Sequence, residues 1–190
     1  MKKQFYFVSF FLGLLVHIAF LFFFVDGLQA EFSKSSRWRY IVIHHSGTRI
    51  GNLQIFDNYH RRRGMKNGAA YHFVIGNGTA DKGDGQIEVS SRWKRQIEGG
   101  HCRQRWVNKI GIGICLVGNF DHTRPTRKQM HSLVSLCKLL RSRYYIPLSN
   151  IKGHGHIKGE KTNCPGKNFS IQEFKKMLVE EEQRTFKISD

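Results

Sequence analysis

The chain changes character sharply along its length. Phe5 to Val25 runs for 21 residues without a formal charge, broken by Ser9 and His17, behind the basic start Met1-Lys2-Lys3. Beyond residue 37 the apolar positions fall into short runs. Arg39-Tyr40-Ile41-Val42-Ile43-His44 is β-branched and apolar and predicts a buried strand. Residues 51–63 place Leu53 and Phe56 at helical spacing, stopped by Gly64. A second strand is expected over 70–75, ended by Gly76-Asn77-Gly78, and a short third over 86–89. Residues 110–117 read as a fourth strand, apolar on both faces, whose paired glycines imply close backbone approach. Residues 126–145 form the clearest helix, with Met130, Leu133, Val134, Leu136, Cys137 and Leu140 on one side and Ile146-Pro147 at its end. A short strand is expected over 149–153, and Ser170-Ile171-Gln172-Glu173 reads as a capping box opening a last helix. Strands alternating with helices predict an α/β fold with a central mixed β-sheet flanked by helices.

At 1.5 Å per helical residue, the apolar run reaches roughly 30 Å, the thickness of a bilayer core. With the charge before it, the N-terminus is expected in the cytoplasm and the rest outside, as a single-pass membrane protein. A secretory signal usually has a shorter apolar region, which favours an uncleaved transmembrane anchor. Leu28-Gln29-Ala30 nevertheless forms a passable cleavage site, and the domain is secreted if it is used. The expected organisation is an anchor or signal segment over 1–30, a linker over 31–37, one domain over 38–183 and a tail over 184–190.

The formal net charge of +17, from 31 Lys and Arg against 14 Asp and Glu, is spread along the exported part. Such a surface favours anionic partners such as lipid head groups and wall polymers. No nucleic-acid partner is expected, because no base-reading helix or known nucleic-acid module is visible and the chain carries an export signal. Export permits disulfides among Cys102, Cys115, Cys137 and Cys164, with three possible pairings. Cys115 and Cys137 sit in apolar settings and read as buried small hydrophobes. Cys164, in a polar loop before proline, needs another explanation.

Histidine supplies it. His44, His45, His72, His101, His154 and His156 cluster at strand ends and loops. A hydrolytic zinc needs three protein ligands and an open position, and two histidines with one cysteine make a known set. Adjacent strand residues face opposite sides, so only one of His44 and His45 can reach a given ion. Parity does not separate His154 from His156. Cys164 is ten residues from the first and eight from the second.

Six motifs in order carry a resemblance: Ile41-Val42-Ile43-His44-His45-Ser46, Ala70-Tyr71-His72-Phe73-Val74-Ile75, Gly99-Gly100-His101, residues 112–120, Gly153-His154 and Thr162-Asn163-Cys164-Pro165-Gly166. Over roughly residues 38–180 the chain resembles the N-acetylmuramoyl-L-alanine amidase family, which includes phage amidase-type lysozymes and peptidoglycan recognition proteins. The resemblance implies a groove holding one zinc ion, with His44, His154 and Cys164 as ligands. It implies Tyr71 and Thr162 as catalytic groups, Lys161 being the alternative to Thr162, and a substrate contact from His101. His72, His60, His122 and His131 are read as structural or surface residues. The implied reaction is zinc-dependent hydrolysis of the amide between N-acetylmuramic acid and L-alanine, in peptidoglycan or muropeptides, by a monomer. A non-catalytic peptidoglycan-binding module on the same fold is the alternative.

Overall fold

A computed structural model of the protein describes residues 37–188, with side chains through Arg184. Strand β1 (Tyr40–His45) lies inside a five-stranded sheet with β2 (Phe73–Asn77), β3 (Asp84–Val89), β4 (Gly111–Leu116) and β5 (Ile151–Gly153). The order is β3-β2-β4-β1-β5. β1 pairs in parallel with β4 and β5, β2 in parallel with β4, and β3 antiparallel with β2. The sheet is therefore mixed, as expected. Around it stand α1 (Leu53–Arg62), the short α2 (Ser91–Lys94) and α3 (Arg105–Ile110), the long α4 (Arg127–Tyr144), and α5 (Ile171–Ile188).

Strand parity divides the core. Ile41 and Ile43 of β1, Ile112, Ile114 and Leu116 of β4, and Phe73 and Ile75 of β2 pack with Leu133, Leu140, Phe174 and Leu178 of α4 and α5. On the other face Val42 meets Val107 of α3, while Val74 and Cys115 meet Phe56 of α1. Residues two apart on a strand share a face, so His44 follows Val42 to this second face and His45 follows Ile43 to the first. His45 Nδ1 accepts the Phe120 N–H at 3.0 Å, which gives it a structural task.

Local signals placed most helices. Asn52 caps α1 by accepting the Ile55 N–H at 2.8 Å. Thr126 and Gln129 form a reciprocal capping box at α4, which ends at the left-handed Tyr145. Ser170 accepts the Glu173 N–H at 3.1 Å at the start of α5. That helix continues to Ile188, into the stretch expected to be a tail. The turns α2 and α3 were not expected from the sequence, being too short for periodicity to register. All four cysteines are free and buried, so the allowed disulfide pairings are not made. Among the described residues no helix is long and apolar enough to cross a membrane. The expected anchor, Phe5 to Val25, lies outside the described residues.

Candidate metal centre

Two adjacent parallel strands deliver two histidines to one side. His44 is at the penultimate position of β1, and His154 follows directly after β5. Their ring centroids are 4.5 Å apart. Cys164 reaches the same point because its loop folds back on the residue after His154. Gly155 N–H donates to the Cys164 carbonyl at 2.7 Å. A Cβ at position 155 would lie 2.3 Å from the Thr162 carbonyl oxygen, so glycine is what admits this approach. One donor atom each from His44, His154 and Cys164 then lies within 4.8 Å of the others. His156, two residues on, is exposed.

The donor set fits a zinc ion. Cys164 Sγ stands 3.7 Å from His44 Nδ1. A nitrogen at about 2.05 Å and a sulfur at about 2.3 Å on one tetrahedral zinc are about 3.6 Å apart. Burial, reinforced by His101 and His154, holds the His44 imidazole well below its ordinary pKa, so the ring is neutral and able to ligate. Burial also lowers His154, against the opposing pull of Glu160. Glu160 Oε2 is 3.1 Å from His154 Nε2 but out of line, and that buried nitrogen makes no hydrogen bond. Burial pushes the Cys164 thiol up to about 12, with Asp121 adding to the effect and a bond to the His45 carbonyl opposing it. A bound cation would displace that proton.

Tyr71 stands beside this set, its ring centroid 5.3 Å from that of His44. Burial first, and Cys115 second, raise its phenol well above the ordinary range. It is therefore a neutral donor at all working pH values. The loop that carries it is tied to α1, where Asp57 Oδ1 accepts the Ala69 N–H at 2.9 Å. His60 Nδ1 accepts the Ala70 N–H at 3.3 Å, and its ring centroid is 5.7 Å from that of Tyr71. His60, expected at the surface, is half-buried beside the site. A cavity of about 330 Å³ adjoins Tyr71, lined also by Ser46, Ile50, Ile55 and Tyr59.

The remaining candidate residues are placed as follows. His101, expected to contact substrate, is 7% exposed and lies against His44, not facing solvent. Its backbone is pinned inward by Asn108, which no sequence pattern announced. Thr162 is exposed, and its hydroxyl oxygen accepts the Cys164 N–H at 3.1 Å, so it already serves the ligand loop. Lys161 is exposed as well. Cys102 and Glu160 were not anticipated near the site, yet Cys102 forms close donor groups with His44 and His101 and with His154 and Glu160. His72 is fully buried, bonded to Ile97 O and Gly113 N, and is structural as expected.

A sequence profile described as N-acetylmuramoyl-L-alanine amidase matches residues 34–167, which include all three donors. The chain belongs to the N-acetylmuramoyl-L-alanine amidase family. Among similar proteins of this family, peptidoglycan recognition protein 1 of Bos indicus is 30% identical over 138 residues. That match covers 67% of this chain and 66% of the cattle protein, just under two thirds of its length. The solved structure of the amidase LysC from Clostridium intestinale URNW is 31% identical, with a TM-score of 0.65 over 78% of this chain and 88% of that one. Human PGRP-Iβ C, solved in complex with glycosamyl muramyl pentapeptide, shares the fold at 19% identity and a TM-score of 0.58, covering 71% of this chain and 80% of that one. The family thus joins amidases to peptidoglycan recognition proteins, on the mixed sheet described above.

Proposed function

We propose that this member of the amidase family is a zinc hydrolase that cuts the amide between N-acetylmuramic acid and L-alanine. The observation that carries the reading is the donor set of His44, His154 and Cys164 with the neutral phenol of Tyr71 beside it. These residues would hold one zinc ion. When bound, zinc supplies a Lewis acid for the scissile carbonyl and lowers the pKa of water to about 7. Tyr71 would donate a hydrogen bond to the oxyanion that develops on that carbonyl, a contact worth more in the transition state than in the ground state. His44 and His154 stay neutral and leave their lone pairs for the metal. Thr162 holds the Cys164 loop through its hydroxyl oxygen, and its hydroxyl proton remains for a contact with substrate.

A second reading is a peptidoglycan-binding module without turnover. It is favoured by the likeness in fold to a recognition protein holding a muramyl pentapeptide. The experiment that separates the two is mass analysis of products released from purified walls by the full-length chain, with and without a chelator. Free L-alanine-terminated stems, formed only when zinc is present, support the amidase. Stoichiometric binding without cleavage supports the module.

We further propose that Phe5 to Val25 anchors the protein in the membrane with the amidase domain outside. The length and lack of charge of the run support this. Membrane fractionation tests it, and a soluble form beginning at Glu31 would show cleavage instead.

A further inference from the structure

Beneath His44 the structure holds a second buried histidine that the reaction does not use directly. His101 Nδ1 is 3.1 Å from His44 Nε2. The other ring nitrogen, Nε2, is 3.3 Å from the Gly111 carbonyl oxygen. A carbonyl can only accept, so His101 carries its proton on Nε2 and its Nδ1 is an acceptor. His44 must then carry its own proton on Nε2, donated to His101. Its Nδ1, the atom facing Cys164 Sγ at 3.7 Å, is left with a free lone pair.

The surroundings are built to keep this ring in place. Asn108 Oδ1 accepts the backbone N–H groups of His101 and Cys102, both at 3.0 Å, and Asn108 Nδ2 donates to the Cys102 carbonyl at 2.7 Å. Room for the ring comes from β4. A Cβ at Gly113 would lie 2.3 Å from His101 Cδ2. Cys102 Sγ, 3.2 Å from His101 Nδ1, can add a weak S–H donor to the same acceptor, which is compatible with this proton arrangement.

We infer that His101 is a positioning residue that selects the His44 tautomer presenting Nδ1 to a metal ion. The inference rests on the zinc reading above. Outer partners of this kind commonly contribute 10- to 100-fold in metal affinity, because an unoriented ring must be ordered when the ion binds.

The test compares full-length wild type, His101→Phe and His101→Asn. Zinc affinity is measured by competition with a chelator, and the cobalt-substituted proteins are compared by visible absorption. His101→Phe keeps ring volume without an acceptor. His101→Asn returns an acceptor oxygen near the position of Nδ1. The expected result is zinc binding weakened about 10- to 100-fold in His101→Phe, with an altered cobalt spectrum, and most of the loss recovered in His101→Asn. Unchanged affinity in His101→Phe, or equal losses in both variants, would overturn the role of the acceptor. Wild type that takes up no zinc would instead overturn the zinc reading, and the inference with it. Wild type that binds zinc while the variants behave alike removes the inference only.

Discussion

The two faces of the sheet are built on opposite terms. The face under α4 and α5 is closed by aliphatic and aromatic side chains, among them Ile43, Ile114, Leu133, Phe174 and Leu178. A buried polar group there, Gln129, is fully engaged, donating to the Ile75 and Val117 carbonyls and accepting the Thr126 N–H. The opposite face buries His44 and His101 among Val42, Cys115 and Val107. Apolar burial stabilises without regard to direction, whereas each buried polar atom needs a placed partner. The first face can therefore absorb modest changes of shape, and the second cannot. β4 displays the contrast within six residues. Ile112, Ile114 and Leu116 serve the helices, while Gly111 and Gly113 leave space for backbone and imidazole on the site face.

The largest effect expected is on the site face. Cys164→Ala should lose stoichiometric zinc by elemental analysis and reduce wall hydrolysis to background, while the thermal transition of the apo-protein shifts by only a few degrees. A metal-loaded, active Cys164→Ala protein would show that the ligand set is wrong. The reverse pattern should follow from the helix face. Phe174→Ala removes a fully buried ring and should cost about 3–5 kcal/mol of stability in denaturant unfolding. Zinc content in the remaining folded protein should be unchanged.

Smaller changes sharpen the contrast. Tyr71→Phe should lower turnover by about 10²-fold, on the order of 3 kcal/mol, with zinc retained, because only an oxyanion donor is removed. Equal turnover would return Tyr71 to packing. The smallest effect concerns Asp57, which ties the Tyr71 loop to α1. Burial alone would raise its pKa, but the Ala69 N–H and Arg61 outweigh that and hold it below the ordinary carboxylate range. A depressed folded pKa gives stability that is present above the unfolded value and lost as pH falls through the folded one. Asp57→Asn should therefore cost under about 1 kcal/mol near neutral pH, and the gap from wild type should close on acidification. Urea unfolding at several pH values measures it, and a gap that widens in acid would contradict the assignment.

Much of the frame was legible because it depends on neighbours in sequence. Short apolar runs marked β1, β2 and β4, and Met130, Leu133, Val134, Leu136, Cys137 and Leu140 on one helical side marked α4. Alternation also established that His44 and His45 part company, although it could not say which one turns toward Cys164. What was not legible shares a cause. His60 lies on a helix that reads as polar, and its burial comes from the Ala70 loop folding over it. His101 read as a groove residue because nothing local shows that Asn108 and Gly113 draw it under the sheet. Glu160 and Cys102 lie 58 residues apart and meet only through the packing of two loops.

By itself, then, the sequence determined the longer elements, the class of fold, the family and the residue types available for the chemistry, since these are written in periodicity and ordered motifs. Tertiary structure alone grouped His154, and not the exposed His156, with His44 and Cys164, brought Cys164 to 3.7 Å from His44 Nδ1, and set His101 behind that ring. The physical reason is that donor geometry depends on distances between chain segments more than a hundred residues apart. Those distances are settled by strand pairing and loop packing, not by any local preference.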